Sequence, residues 1–226
     1  IDGFQVDVLT WLPGEPLSTP GGPLTVADRV GTYHQLGREM ARLHEVSDAW
    51  EKPTTFTRCN WNREGLLGAA PLWDRFWDNP GLSDQDRDLM MDLRTKSNED
   101  LQALEGTLDY GLIHADLVSA NVMVHESRVA MIDFDDGGFG FRLYEIATAL
   151  LKQMDEPDYP ELQQALLSGY HSLRDLDTDA LDLFLTLRAA TYVGWNIKRI
   201  NEITAEGRNA RFIKTTKRLA TAYLKI

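Results

Sequence analysis

The sequence predicts an α+β fold that is mostly α-helical and contains one short β-hairpin. Short strand-like segments lie ahead of residue 133, and amphipathic helical patterns follow one another after Phe141. This order, with strands first and a run of helices afterwards, favours α+β over a doubly wound parallel sheet. The hairpin is predicted at 121–124 and 128–132, where two apolar segments are joined by a polar turn.

The composition excludes several classes of protein. The chain has 226 residues, of which 43% are hydrophobic and 26% charged, and its net charge is −12. A nucleic-acid-binding surface needs clustered Lys and Arg, so we expect no nucleic-acid partner. No apolar run reaches the roughly 18 residues of a membrane span. The acidic balance suits a cationic small substrate, although it also serves solubility alone. The single cysteine, Cys59, excludes an internal disulfide and a Cys-based zinc site, and it is consistent with the cytoplasm.

The first predicted element is a strand. Phe4, Val6 and Val8 alternate with more polar residues, which is the period of a half-buried strand. The pattern stops at Trp11-Leu12-Pro13-Gly14, because proline and glycine interrupt a strand ladder. A loop rich in proline and glycine then extends to Leu24.

The helices are predicted from apolar residues spaced three and four apart. Thr25 or Asp28 is the predicted N-cap of the first helix, since either side chain can accept a free backbone N–H. The inward face of this helix is predicted to be Val26, Val30, Tyr33, Gly37, Met40, Ala41 and His44. A second long helix is predicted between Ser83 and Glu105. Its expected buried residues are Leu89, Met90, Leu93, Leu101 and Leu104. Further helices are predicted at about 143–154, 159–173, 178–203 and 208–225.

One segment carries a chemical motif. His114-Ala115-Asp116 follows a short apolar strand and is followed by Asn121, and Asp133 comes directly after the predicted hairpin. Phosphoryl transfer needs a carboxylate beside the attacking hydroxyl and oxygen ligands for Mg²⁺. Asp116 supplies the carboxylate, while Asn121 and Asp133 supply the ligands and are brought together by the two antiparallel strands. Roles as loop caps and a strand terminator would explain each residue singly but not their joint spacing.

The segment resembles the aminoglycoside phosphotransferase (APH) superfamily, with His-Ala-Asp and Asp-Phe-Asp in place of the kinase His-Arg-Asp and Asp-Phe-Gly. Residues 8–14 resemble the hinge between the two kinase lobes, and residues 36–44 resemble the first long helix of the C-terminal lobe. The cluster of Trp73, Phe76 and Trp77 is similar to the branch of type II homoserine kinases and stress-response Ser/Thr kinases. The resemblance implies a protein-kinase-like C-terminal lobe that uses ATP and Mg²⁺.

This resemblance also implies roles for individual residues. Asp116 is expected to be the catalytic base or the residue that orients the acceptor hydroxyl, and His114 is expected to brace the catalytic loop. Asn121 and Asp133 are expected to bind Mg²⁺. Glu145 stands where relatives usually carry Asp, and its carboxylate is expected to accept hydrogen bonds from His114 or from the backbone of the catalytic loop.

The hinge resemblance implies the ATP-binding residues and the lobe boundary. Leu9 is the expected gatekeeper, with the Thr10 carbonyl and the Leu12 amide facing adenine, since Pro13 has no N–H to donate. Residues 1–14 are then expected to be the end of the N-terminal lobe plus the hinge, and residues 15–226 the C-terminal lobe. No Gly-rich loop followed by a lysine occurs before residue 14, so we expect the rest of the N-terminal lobe to lie upstream. The alternative is a natural fragment with weak or no activity, and in either case these 226 residues alone are expected to turn over little.

Several aromatic and buried residues have two interpretations. Trp61, Trp73 and Trp77 can form an aromatic face for a cationic or sugar-like substrate, or they can pack in the core. His44 is expected to be packed or to cap its helix rather than to touch substrate. The predicted core face of the 178–203 helix includes Arg188.

Two further groups of residues can belong to the site or to its surroundings. Tyr192, Trp195 and Asn196 can line the substrate cleft or pack in the core. Asp135 and Asp136 can be solvated charges, or one of them can contact substrate or a second Mg²⁺.

The function predicted from these observations is ATP-dependent phosphorylation of a small-molecule hydroxyl, on an aminoglycoside, an amino alcohol or a homoserine-like acceptor. A Ser/Thr protein kinase of the same fold is the alternative within catalysis. A non-catalytic binding module derived from a kinase is the alternative outside catalysis, although Asp116, Asn121 and Asp133 argue against it.

Overall fold

The computed structural model describes residues 10–19, 22–202 and 207–226. Within these ranges the α-helices are α1 (Arg29–Ala49), α2 (Arg63–Leu67), α3 (Asp84–Leu104), α4 (Arg142–Leu151), α5 (Tyr159–His171), α6 (Leu181–Trp195) and α7 (Arg208–Leu224). Short 3₁₀ turns occur at Phe76–Asp78, Ser119–Asn121 and Ile197–Arg199. No helix in these ranges is long and apolar enough to cross a bilayer. The predicted strand around Val6 and the expected gatekeeper Leu9 lie outside the described residues.

Two small sheets surround the motif. The strands are β1 (Glu15–Pro16), β2 (Asn60–Trp61), β3 (Tyr110–Ile113), β4 (Val122–His125), β5 (Arg128–Met131) and β6 (Gly138–Phe141). One sheet has the strand order β1-β4-β5, with antiparallel neighbours. The other has the order β2-β6-β3, in which β6 is antiparallel to β3 and parallel to β2. The predicted hairpin is therefore confirmed as β4 and β5, and β1 extends it by one strand.

The first helix differs from its prediction at its N-terminal end. Asp28 rather than Thr25 is the N-cap, and its carboxylate accepts the Gly31 N–H at 2.8 Å. Val26, predicted to begin the inward face, lies before the N-cap, and Val30, also predicted to face inward, is exposed in the first turn. The inward face begins instead at Tyr33 and follows the prediction as far as His44, with Leu36 as an additional buried residue.

The helix predicted at 178–203 is also shorter than expected. α6 ends at Trp195, and Asn196 leads into a 3₁₀ turn. The Asn196 side chain is buried, and both its amide nitrogen and its amide oxygen are hydrogen-bonded. Its Nδ2 donates to Asn209 Oδ1 at 2.9 Å, and its Oδ1 accepts from Arg208 Nε at 2.8 Å. These bonds hold the end of α6 against the start of α7, so Asn196 is a structural residue rather than part of a cleft.

Strand β6 is an element that the sequence does not predict, because glycine disfavours strands. The structure explains its two glycines. A Cβ at Gly138 would lie 2.5 Å from the Cys59 carbonyl oxygen, and one at Gly140 would lie 2.9 Å from Trp61 Cβ. The missing side chains therefore allow β6 to run between β2 and β3, which fixes β3 just before the motif.

Helices α1 and α5 pack with their backbones in contact. A Cβ at Gly37 would overlap the Leu166 carbonyl oxygen, and a Cβ at Gly169 would overlap the His34 carbonyl oxygen. This close approach brings the C-terminal half of α1, which carries His44, against the C-terminal end of α5.

Candidate active site

The loop between β3 and β4 makes a sharp turn at the motif. Ala115 has a φ of 66°, in the left-handed region that non-glycine residues adopt only at a cost in free energy. The flanking side chains consequently have different environments. His114 is fully buried, whereas the side chain of Asp116 is 26% exposed.

Glu145 on α4 stabilises this turn. Its Oε2 accepts the Ala115 N–H at 2.9 Å, and its Oε1 accepts from His44 Nε2 at 3.0 Å. The predicted hydrogen bond between Glu145 and the loop backbone is thus confirmed, with His44 as an additional donor that the sequence does not identify. His44 Nδ1 lies 2.8 Å from the Tyr170 hydroxyl, so a neutral imidazole can donate to Glu145 and accept from Tyr170.

Burial and hydrogen bonding set the charges of this pair. Burial acts to raise the pKa of Glu145, but its interactions with His44, and to a lesser extent with His114 and the Ala115 N–H, hold the pKa below its usual value. Burial lowers the pKa of His44, although Glu145 opposes that shift. We therefore assign an ionised carboxylate and a neutral imidazole, which keeps Glu145 an acceptor toward the catalytic loop.

This assignment predicts a pH-dependent stability. Below the usual His pKa of 6.5, the unfolded chain binds a proton at His44 that the folded chain excludes. The free energy of unfolding therefore decreases as the pH is lowered below that value. Glu145, whose folded pKa is lowered, adds stability above its usual pKa of 4.5 and loses it as pH falls through the folded pKa. We expect His44→Gln to flatten the pH dependence between about pH 7 and 5, by up to about 1.4 kcal/mol per pH unit.

Urea unfolding of the wild type and His44→Gln at several pH values measures this difference. Glutamine keeps an N–H that can donate to Glu145, so the folded site is preserved while the titrating group is removed. His34→Gln on the same helix is the matched control and should follow the wild-type curve. Identical pH dependence in His44→Gln and wild type would contradict a neutral His44.

His114 connects the motif to the segment after the hairpin. Its Nε2 donates to the Ile132 carbonyl at 2.8 Å, and its Nδ1 lies 3.4 Å from the Asp116 N–H. Its ring centroid lies 4.4 Å from that of Phe134. Because Ile132 and Phe134 flank Asp133, the buried imidazole ties the loop carrying Asp116 to the segment carrying Asp133. These are the contacts through which the bracing role expected of His114 would act.

Asn121 lies between the other two motif residues. Its Nδ2 donates to the Asp116 carbonyl at 2.9 Å and to Asp116 Oδ2 at 3.3 Å. The backbone carbonyl of Asn121 accepts the N–H of Ile132, the residue before Asp133, at 3.0 Å. Since the amide nitrogen is engaged by Asp116, the amide oxygen is available to a cation.

Asp116 has another partner, which the sequence does not identify. Arg188 on α6 donates from Nη2 to Asp116 Oδ1 at 2.6 Å. The arginine is fully buried, and its guanidinium lies 4.5 Å from the Trp73 ring centroid and 4.4 Å from that of Tyr192. The sequence signal for such a contact is a charge on an otherwise apolar helix face, since a buried charge requires a partner.

An acidic segment lies beside Asp116. Asp133 and Asp135 are exposed, and Asp136 is half-buried. Burial and then the charge of Asp116 raise the pKa of Asp136, with Asp133 adding to the rise and Arg188 opposing it. The neighbouring carboxylates thus disfavour the charged form of Asp136.

The donor atoms fit a hard divalent cation. The Asn121 amide oxygen and the Asp133 carboxylate are ligands of the kind that Mg²⁺ binds, and Mg²⁺ usually takes further ligands from water and substrate phosphates. Within the part of the chain that the structure describes, no three His, Cys, Asp or Glu side chains are arranged to hold a metal. A cation held by Asn121 and Asp133 would take its remaining ligands from water and substrate phosphates.

The expected hinge residues lie close in sequence to a tight contact with the hairpin. Thr10 and Leu12 are exposed. Gly14 follows with a φ of 109°, and a Cβ there would overlap the Val124 carbonyl oxygen. Strand β1 then pairs with β4, the strand that begins directly after Asn121. The segment after the expected hinge is thus fixed against the hairpin that follows Asn121.

The aromatic residues divide between the core and the site. Trp61 and Trp77 are buried, Trp61 stacking on Tyr144 with ring centroids 5.5 Å apart. The structure therefore favours packing over a substrate face for these two residues. Trp73 is only partly buried and covers the guanidinium of Arg188, which places it beside Asp116.

Comparison with known proteins identifies relatives. The profile of the phosphotransferase enzyme family (APH) matches residues 1–184. Hydroxylysine kinase of Bos taurus is 22% identical over 185 residues, covering 76% of this chain and 47% of that protein. Homoserine kinase of Paramagnetospirillum magneticum is 26% identical over 195 residues, covering 80% of this chain and 56% of that protein. The chain thus spans about half the length of these curated relatives.

Solved structures share the fold. A microcompartment-associated aminopropanol kinase superposes with a TM-score of 0.77 and 31% identity, over 87% of this chain and 63% of that one. The amicoumacin kinase hAmiN, solved with AMP-PNP, Ca²⁺ and Ami, superposes with a TM-score of 0.65 at 21% identity, over 92% of this chain and 63% of that one. These likenesses confirm the predicted α+β, protein-kinase-like fold.

Proposed function

The chain belongs to the phosphotransferase enzyme family, and from this premise we propose that the protein is an ATP-dependent kinase that phosphorylates a hydroxyl group of a small molecule. The observation that carries the proposal is the pair of hydrogen bonds from Asn121 to Asp116, at 2.9 and 3.3 Å. These bonds hold the Asn121 amide, whose oxygen can bind a metal, beside the Asp116 carboxylate, which can accept a hydrogen bond from an acceptor hydroxyl. Phosphoryl transfer requires this juxtaposition, because catalysis depends mainly on positioning and charge stabilisation.

Asp116 is the proposed acceptor-binding residue. It would accept a hydrogen bond from the acceptor hydroxyl and take its proton as the hydroxyl oxygen bonds to the γ-phosphorus and the bond to ADP breaks. Glu145 and His114 would hold the loop in this geometry through their bonds to Ala115 and Ile132.

Asn121 and Asp133 are the proposed metal-binding residues, with Mg²⁺ as the proposed ion. A bound divalent cation would neutralise the phosphate charge that repels an approaching hydroxyl. The bond from Asn121 to Asp116 would keep the amide oxygen turned toward the cation. Asp133 would contribute an exposed carboxylate from a backbone held in the left-handed region, at a φ of 66°.

The hinge is the proposed adenine site. We place the hinge within residues 1–14 and the kinase C-terminal lobe at 15–226, with Leu9 as gatekeeper. The Thr10 carbonyl would accept from the adenine amino group, and the Leu12 N–H would donate to the ring. The pairing of β1 with β4 supports this placement, since it fixes the segment after the hinge on the catalytic hairpin. An enzyme that consumes ATP in this way would work in the cytoplasm.

The acceptor is proposed to carry a primary amine as well as its hydroxyl. A bound ammonium group would offset the Asp116 and Asp133 charges that help to raise the pKa of Asp136, and Asp135 adds an exposed carboxylate to the same segment. The similar proteins include kinases for aminopropanol, hydroxylysine and homoserine, and each of these compounds has both an amine and a hydroxyl.

Turnover by the full-length protein with Mg·ATP tests both parts of this proposal. The acceptors are 1-amino-2-propanol, hydroxylysine and homoserine, with 2-propanol as the matched alcohol that lacks the amine. ADP release and the mass of the phosphorylated product are measured. We expect kcat/KM for 2-propanol to be lower than for 1-amino-2-propanol by up to about 10²-fold, because a charge-assisted hydrogen bond is lost. Equal turnover of the two alcohols would contradict the amine requirement, and no product with any hydroxyl acceptor would contradict the kinase function.

A further inference from the structure

We propose that Arg188 is a positioning residue that fixes the orientation of the Asp116 carboxylate and leaves Oδ2 as the oxygen that receives the acceptor hydroxyl. The inference rests on the proposed function, since it concerns how Asp116 meets the acceptor. It assigns a role in the reaction to a residue outside the motif, 72 positions away in the sequence.

The contact with Asp116 is short and selective. Arg188 Nη2 lies 2.6 Å from Oδ1, whereas Oδ2 receives only the longer bond from Asn121, at 3.3 Å. A carboxylate with one oxygen held by a buried guanidinium cannot rotate without losing a charge-assisted hydrogen bond. The second oxygen is therefore presented in one direction, as a positioned base requires.

Arg188 is itself held in place by its surroundings. Its Nη1 donates to the Tyr144 hydroxyl at 3.0 Å, and its Nη2 also donates to the Tyr192 hydroxyl at 3.1 Å. The rings of Trp73, Tyr144 and Tyr192 surround the guanidinium, with centroids 4.5, 5.4 and 4.4 Å from its central carbon. Hydrogen bonds and ring contacts together leave the fully buried side chain one orientation.

A packing role alone does not explain this arrangement. Burying an ion pair costs about as much desolvation free energy as the attraction returns, and a hydrophobic residue often stabilises a core equally well. Among the described residues, the one ion pair of Arg188 is with Asp116. The charge of Arg188 is therefore better explained by its effect on Asp116 than by its contribution to the core.

The aromatic surroundings also have a consequence for the acceptor. Trp73, Tyr144 and Tyr192 form a cage of the type that binds cationic ligands, but the protein's own guanidinium fills it. An acceptor ammonium would consequently bind to the acidic segment instead, on the exposed side of Asp116.

A double-mutant cycle in the full-length protein tests the inference. Arg188→Met is measured alone and combined with Asp116→Asn. We expect Arg188→Met alone to lower kcat by roughly 10–10²-fold, the effect of a misplaced catalytic group, while KM for ATP changes less than about threefold. In the Asp116→Asn background the same change should lower kcat by less than about threefold, because no charged base is left to orient. Arg188→Lys keeps the charge without the planar fork and should recover part of the loss.

Arg94→Met is the matched control, since Arg94 also stacks on a tryptophan, 4.2 Å from the ring centroid of Trp77, and has no contact with Asp116. It should leave kcat within about threefold of the parent in both backgrounds. Equal losses from Arg188→Met in both backgrounds, or full activity of Arg188→Met, would overturn the inference. If Arg188→Met does not fold, Arg188→Lys is carried through the same cycle.

Urea unfolding of the same variants is a second readout that needs no acceptor. Removing one partner of a buried ion pair leaves the other charge unpaired, so the double variant should be more stable than the two single changes predict. Purely additive effects on stability would refute the Arg188–Asp116 contact. An inactive wild type with non-additive unfolding would instead contradict the proposed kinase function and support the contact.

Discussion

Replacing Asp116 with asparagine is expected to lower the turnover of the full-length protein by roughly 10²–10⁴-fold, which is the usual rate contribution of a positioned general base. Asparagine has nearly the same shape, and its side-chain oxygen can still accept the hydrogen bond from Arg188. It cannot take the proton of the acceptor hydroxyl. Asn121 donates to the backbone carbonyl of residue 116 as well as to the side chain, so the proposed metal ligand should stay in place.

The affinity for Mg·ATP should therefore remain within about threefold of the wild-type value in Asp116→Asn. Calorimetric binding of a non-hydrolysable ATP analogue, measured beside kcat for the preferred acceptor, separates the two effects. Normal turnover would show that Asp116 is not the base. A loss of nucleotide affinity as large as the loss of kcat would show that Asp116 acts on the phosphates rather than on the acceptor.

Replacing Asp133 with asparagine is expected to affect nucleotide binding and turnover together. The change removes one of the two proposed ligands, and the charge stabilisation that a metal supplies in phosphoryl transfer amounts to several kcal/mol. We expect kcat/KM for ATP to fall by about 10²-fold or more, with a rise in the Mg²⁺ concentration that gives half-maximal rate. Rates measured over a Mg²⁺ titration at fixed ATP provide this value.

Glu126→Gln is the matched control for Asp133→Asn. Glu126 lies in the turn between β4 and β5, so its replacement also removes one carboxylate charge, but at the end of the hairpin away from Asn121 and Asp133. It should leave the Mg²⁺ dependence unchanged. An Asp133→Asn variant with a wild-type Mg²⁺ dependence would remove Asp133 from the metal site.

Much of the motif's geometry could be predicted because its contacts are close in sequence. Asn121 follows Asp116 by one 3₁₀ turn, and the short hairpin returns the chain to Asp133. Antiparallel pairing with a short turn leaves little freedom in where the second strand ends. The inward face of α1 from Tyr33 onward could also be predicted, since helical periodicity alone places its residues on one side.

Other features depended on packing that periodicity does not specify. Strand β6 forms where the side chains of Trp61 and Cys59 leave room only for glycine, and glycine by itself predicts a loop. α6 ends at Trp195 because Asn196 is bound by α7, an element beyond the predicted helix. Apolar spacing could not reveal either of these partners.

The sequence by itself determined the family resemblance and the mostly helical α+β fold, and it identified the candidate residues of the motif, because these features are encoded in local spacing. The tertiary structure alone decided how that motif is supported. His44 lies 101 residues from Glu145, and Arg188 lies 72 residues from Asp116. A buried polar group must have a hydrogen-bonding partner, but its identity depends on which helices pack around the loop. That packing paired His44 with Glu145 beneath the Ala115 turn and Arg188 with the Asp116 carboxylate.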